Sequence, residues 1–321
     1  MELLKRSVFM RKRTYAIVSV LVTIILVGTV LALYFSNGTT PGTSSKLKVI
    51  ATFYPLYDFA QNVGGNKTDV SILVPETVDV HAFEPTPSSI AEVSSADVLI
   101  YNGAGLEPWI QDVVNAAGNT KLIQVNTSQG INLVPVPSQF QRGNQTIDPH
   151  IWLDPLNAKQ QVNNILQGLI KADPADSQYF TQNAQAYDAK LDNLNSLAIN
   201  ATTDTATKYF VTFHEAFAYF AKQYNVTQLA ISGPFEEEPT PTDIQNVIGA
   251  INQYHLKYVG YESLENQAIS QSISSQTNAT LINMNPIEGL TAQEKAAGDN
   301  YITLMQQDIN NIHLALTNVG T

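Results

Sequence analysis

The chain has 321 residues, about twice the ~150 of a typical domain, so two domains of moderate size are expected. The absence of cysteine excludes disulfide frameworks, thiolate zinc sites, iron–sulfur clusters, cysteine nucleophiles and lipid attachment through cysteine. Only 14% of residues are charged and 44% are apolar; removing the five basic residues and one acidic residue of positions 1–45 leaves 12 basic against 27 acidic, a sign that opposes nucleic acid and suits cations.

At the N-terminus, Lys5, Arg6, Arg11, Lys12 and Arg13 directly precede an apolar run without charge from Tyr15 to Phe35. At about 1.5 Å per residue this run is long enough for a hydrocarbon core of about 30 Å. The reading is a basic cytoplasmic segment at 1–14 and a transmembrane anchor at 15–35, with the remainder outside the cell. The run exceeds the core of an ordinary signal peptide, which favours an uncleaved anchor over a cleaved signal. Residues 36–46, rich in Ser, Thr and Gly, read as a flexible linker. Seven Asn-x-Ser/Thr triplets, at Asn37, Asn66, Asn126, Asn144, Asn200, Asn225 and Asn278, accord with an external location.

From 47 to 172, short β-branched runs alternate with helical patterns, the signature of βαβ units and a mostly parallel sheet. Strands are expected at 48–53, 69–74, 97–101 and 121–125. Helices are expected near 55–63, 87–95 and 107–117. Thr86 and Pro87 start the second helix as a cap with proline at the first helical position, and Gly118 stops the third. From 204 to 321 the plan repeats, with strands at 208–213, 227–231, 257–261 and 280–284 and helices near 215–224, 242–254, 264–276 and 291–316. The fold class is therefore α/β, two lobes each built on a mostly parallel four-stranded sheet flanked by helices. Between them, at 173–203, Phe180, Ala184, Tyr187, Leu191, Leu194 and Ala198 form one helical stripe without an interrupting glycine. This predicts a single long rigid helix running along both lobes.

Ligands of open parallel sheets bind beyond the carboxyl ends of the strands, and three of the five histidines fall there. His81 follows the second strand, His150 lies in the loop segment DPHIWLDP, and His214 directly follows the fifth strand. Their wide spacing excludes a zinc finger or a helical HExxH pair, so a shared site has to be built by the fold. Neutral imidazoles suit Zn²⁺ and comparable ions, and three of them leave room for oxygen. Asp148, Glu84 and Glu215 are neighbours that could orient the rings or merely cap turns. His255 and His313 read as surface residues.

At these residues the sequence resembles the zinc- and manganese-binding solute-binding proteins of ABC-type importers. The segment ATFYPLYDFAQNVGG is similar to the family's opening strand and helix, LVPETVDVHAFEPTPSSIAEVSSADVLIYNGAGLEPW to its first ligand segment, DPHIWLDP to its second and FHEAFAYFAKQY to its third. The resemblance covers roughly residues 47–318. It implies two α/β lobes joined by a long helix, with metal held in the cleft between them by His81, His150, His214 and a fourth ligand. The family usually places an aspartate after the last strand, where this chain has Asn285. Asn285 or water is the expected fourth donor, with the strand-end Glu262 as alternative. The loop at 119–147 lacks the histidine run of many zinc-specific members, whereas a third histidine favours Zn²⁺ over Mn²⁺.

Together with the apolar run at 15–35, the resemblance leads to the expectation of a membrane-anchored, monomeric, extracellular receptor that hands its ion to an ABC importer permease. It is not expected to be an enzyme. A surface adhesin on the same fold and, more remotely, a zinc hydrolase using Glu215 or Glu262 as base are the rival readings.

Overall fold

The computed structural model describes residues 10–11, 15, 18–27, 29, 46–141, 145–235 and 238–320. The chain divides into one unit at Met1–Ser45 and another at Lys46–Thr321. In the first unit the described residues are helical, and apolar side chains from Val18 to Val27 are exposed. Among the described residues no helix is long and apolar enough to cross a membrane. Most of the basic segment at 1–14, all of the linker at 36–46 except Lys46, and much of the expected anchor at 15–35 lie outside the described residues.

In the second unit, β1 (Leu47–Ala51), β2 (Thr68–Ile72), β3 (Val98–Tyr101) and β4 (Ile123–Asn126) form a parallel sheet of order β2-β1-β3-β4. Helices α1 (Tyr54–Gly64), α2 (Pro87–Ser94) and α3 (Ile110–Ala117) connect these strands. The sheet is buried on both faces, as crossover helices require. Val49 and Ala51 of β1 face a central cluster with Phe59, Ile165 and Leu191, while the intervening Ile50 faces a separate cluster with Val93, Leu99 and Val113.

After α4 (Pro155–Ala172) runs α5 (Ser177–Thr202), 26 residues and about 39 Å long. Its stripe of Phe180, Ala184, Tyr187, Leu191, Leu194 and Ala198 is buried. It packs on α1 and α4 from the first half and on the C-terminal helix α10 (Tyr301–Thr317). The helix thus follows both halves, as the spacing of its apolar residues requires.

The second half departs from a single four-stranded sheet. Strand β5 (Tyr209–His214) pairs in parallel with β6 (Thr227–Ser232), and β7 (Tyr258–Tyr261) pairs in parallel with β8 (Thr280–Asn283), as two separate pairs. Strands β5 and β7 run side by side, so close that a Cβ on Gly260 would lie 2.6 Å from the Val211 carbonyl. Their facing polar groups are engaged elsewhere: the Ser270 hydroxyl donates to the Gly260 carbonyl at 2.9 Å, and the His214 N–H donates to Glu262 at 3.1 Å. Helices α6 (Ala218–Gln223), α7 (Pro241–Gln253) and α8 (Ala268–Thr277) flank these strands. The helix expected at 291–316 is two, α9 (Ala292–Ala297) and α10. The break falls where Gly298 takes a left-handed backbone and Asn300 caps α10 by accepting from the Thr303 N–H.

Candidate metal centre

The three histidines come from separate segments, His81 and His150 from loops and His214 from the end of a strand. His81 lies between β2 and α2, whose start is fixed by the Thr86–Ser89 capping box and Pro87. His150 precedes the short turn Ile151–Leu153, and Asp154 then caps α4 by accepting from the Leu156 N–H at 3.0 Å. His214 ends β5. Glu288 lies in the loop between β8 and α9, eight residues beyond the eighth strand's Thr280.

These four residues meet: one donor atom from each of His81, His150, His214 and Glu288 lies within 4.8 Å of all the others. Glu288 Oε1 is 3.2 Å from His81 Nε2, 3.2 Å from His150 Nε2 and 3.7 Å from His214 Nε2. The Nε2 atoms of His150 and His214 are 3.1 Å apart. Two nitrogens held tetrahedrally at a Zn–N distance of about 2.0–2.1 Å stand about 3.3 Å from each other. These four separations, 3.1 to 3.7 Å, bracket that value, and the remaining pairs lie within 4.8 Å. The cluster is nearly sealed, with side-chain exposures of 6% for His81, 0% for His150 and His214, and 7% for Glu288.

Carboxylates behind the rings fix their tautomers. His150 donates from Nδ1 to Asp148 Oδ1 at 2.9 Å, and the same oxygen accepts its backbone N–H at 2.8 Å. His214 donates from Nδ1 to Glu262 Oε1 at 2.8 Å. A proton held at Nδ1 leaves the lone pair at Nε2, so both neutral rings direct lone pairs into the same small space as the Glu288 carboxylate. Acceptors gathered this way repel one another unless a proton or a cation lies between them.

The charges follow this arrangement. Burial raises the Glu288 carboxyl, but the charge of His81 and hydrogen bonds from His150 and His81 reverse this and hold it well below the usual carboxylate range. Burial disfavours a charged His150, yet Asp148 and Glu288 lift it above the ordinary imidazole value. Glu215, beside the centre, is pushed up to about 7 by burial and the nearby Asp148.

The two residues expected as fourth donor are elsewhere employed. Asn285 turns its amide away: Oδ1 accepts the Ile287 N–H at 2.8 Å and Nδ2 donates to Glu294 Oε1 at 2.9 Å. Glu262 stands behind His214 and orients it. Glu288 is the acid that sequence reasoning passed over. Its signal is weak, three residues past Asn285 in a segment of no regular period. Of the suggested orienting acids, Asp148 holds His150, whereas Glu84 is exposed. One pattern was available in the sequence: Asp-x-His occurs at both Asp79/His81 and Asp148/His150, and in each the aspartate accepts the histidine's backbone N–H, at 2.7 and 2.8 Å. His255 and His313 are exposed and remote from the cluster, His313 donating to the Ala201 carbonyl.

Residues 49–315 match the family model ZnuA, described as zinc-uptake complex component A, periplasmic. The high-affinity zinc uptake system protein ZnuA of Bacillus subtilis is 30% identical over 284 residues, spanning 86% of this chain and 89% of that protein. The crystal structure of Zn(II)-bound AdcA from Streptococcus pneumoniae superposes with a TM-score of 0.76 at 28% identity, covering 86% of this chain; the chain spans only 59% of that longer protein. The laminin-binding protein Lmb of Streptococcus agalactiae, described as bifunctional with adhesin and metal-transporting activity, gives a TM-score of 0.77 at 26% identity, covering 85% of this chain and all of that one.

Proposed function

This chain belongs to the ZnuA family of zinc-uptake components, a solute-binding protein rather than an enzyme, and on that premise we propose that it captures Zn²⁺ outside the cell through His81, His150, His214 and Glu288. The observation that carries the reading is the convergence of three imidazole nitrogens and one ionised carboxylate within 4.8 Å. Three nitrogen donors favour Zn²⁺ over Mn²⁺, which prefers more oxygen donors and a larger shell. Four protein donors also fill a tetrahedral shell, leaving no open position for a metal-bound water, and this speaks against the hydrolase.

From this pocket the ion passes to an ABC importer permease, with the protein acting as a monomer tethered through the apolar run at 15–35. The support for tethering is the charge asymmetry and apolar length of that run, together with the exposed apolar side chains from Val18 to Val27. The similarity to Lmb supports a second reading, adhesion on the same fold. Glu288 brings to the centre the carboxylate that Asn285 does not, which supports metal capture.

Metal analysis of the natively purified chain, followed by competition between zinc and manganese, tests the proposal. The expected result is one bound zinc per chain that manganese in large excess fails to displace. A metal-free protein that takes up neither ion would refute it.

A further inference from the structure

Ile287 is fully buried, β-branched, and has a backbone φ of 60°. A branched side chain in the left-handed region is a genuine outlier, and such strain persists only where the surroundings enforce it. It immediately precedes Glu288. We propose that Asn285 is a positioning residue for the metal centre: it enforces the left-handed turn at Ile287, and that turn aims the Glu288 carboxylate at the three imidazoles. The proposal rests on Glu288 being a zinc ligand.

The geometry supplies the enforcement. Pro286 restricts Asn285 to extended backbone and fixes its own φ near −65°, so the reversal of direction falls on Ile287, where proline turns ordinarily place glycine or asparagine. Asn285 Oδ1 accepts the Ile287 N–H at 2.8 Å, closing a side-chain-capped turn. Two further bonds keep that oxygen in place. The Asn285 Nδ2 donates to Glu294 Oε1 at 2.9 Å, which settles which end of the amide faces Ile287, and the Asn285 backbone N–H donates to the buried Asp308 at 2.8 Å. The Ile287 side chain lies in the central apolar cluster, so relaxing its φ would drag a buried group out of its packing. Beyond it, Gly289 lies where any Cβ would collide with the Glu76 carbonyl, which limits how the loop could otherwise run. Asn285 therefore acts on the metal only through Glu288.

A double-mutant cycle in the full chain, read as zinc affinity against a competing chelator and as the visible spectrum of the cobalt-loaded protein, separates this role from others. Asn285→Ala is expected to weaken zinc about 10- to 100-fold, the usual effect of removing an outer partner of a ligand. It should also shift the cobalt bands toward those of Glu288→Gln. Adding Asn285→Ala to Glu288→Gln is expected to cause no further loss. Additive losses would overturn the proposal, because they mean that Asn285 binds metal itself or acts through the fold at large. Unchanged affinity in Asn285→Ala would overturn it too. If Asn285→Ala does not fold, Asn285→Ser, whose hydroxyl can still accept the Ile287 N–H, takes its place with an intermediate loss expected. Full affinity in a Glu288→Gln chain would instead refute the ligand assignment, and with it the role of Asn285.

Discussion

The indole N–H of Trp152 donates to the carbonyl of Pro286 at 2.7 Å, a buried bond across 134 residues of sequence. Trp152 lies two residues after His150 and Pro286 two residues before Glu288, so the bond ties the segment carrying one donor to the segment carrying another. Tyr301 closes the arrangement by donating its hydroxyl to the Trp152 carbonyl at 2.5 Å. Trp152→Phe keeps the ring in its contact with Phe53 and removes only the N–H. The buried Pro286 carbonyl is then left unpaired, at a cost of about 1–3 kcal/mol. Denaturant unfolding of zinc-free protein should show that loss, and stopped-flow release should show faster zinc dissociation. A variant with wild-type values for both would disprove the coupling.

His214→Ala removes a proposed ligand together with its carboxylate partner's hydrogen bond, and zinc affinity should fall sharply while far-ultraviolet circular dichroism remains native. The outer acids should matter less but measurably: Asp148→Asn and Glu262→Gln are expected to weaken zinc roughly 10-fold or more, because they lower the basicity and the order of His150 and His214. Glu215→Gln serves as contrast, with little change expected, since Glu215 holds none of the three rings. Calorimetric titration distinguishes these grades, and equal losses from all three acids would contradict the assigned roles.

The pH dependence follows from His150. Its folded-state value lies above the ordinary imidazole value, so it contributes stability to the metal-free protein that is complete below about pH 6.5 and is lost as pH rises through the raised value. Zinc requires that proton to leave, so its binding strengthens over the same interval. Between about pH 6 and 8 the melting temperature of metal-free protein should fall relative to a His150→Gln variant, and the rise caused by zinc should grow. Scanning calorimetry with and without zinc checks both signs; a zinc-induced rise that shrinks toward pH 8 would contradict the mechanism.

Phe180→Ala tests the long helix. Phe180 is fully buried on the apolar stripe of α5, and truncation there should cost about 3–5 kcal/mol of unfolding free energy without altering the cobalt spectrum. A loss below about 1 kcal/mol would show that the stripe is not part of the main core.

What could be read from the sequence was whatever depends on short-range periodicity. The stripe on α5 and the eight strands follow from spacing and β-branching, and the three histidines follow from their position at strand ends. What could not be read depends on side chains competing for backbone groups. Ser270 and Glu262 occupy polar groups on the edges of β5 and β7, so the expected four-stranded sheet divides into two pairs. Gly298 and Asn300 place a stop and a start within an apolar pattern that by itself reads as one helix. Glu288 was hidden because the chain turns through an isoleucine, a residue that gives no turn signal. Asn285 stands after the last strand, where the sequence pattern expects a ligand, but its oxygen is taken by the Ile287 N–H, a bond that spacing alone does not encode.

The central apolar cluster draws on Val49 and Ile100 from the first sheet, on Phe210 and Met284 from the second half, and on Phe180 and Leu191 from the helix between them. Neither half therefore owns a complete interior. Severed near residue 173, each fragment would present an oily flank to water and would clump or seek its missing mate. The segments that carry the four converging donors share this seam, and they cannot come apart without unmaking the molecule.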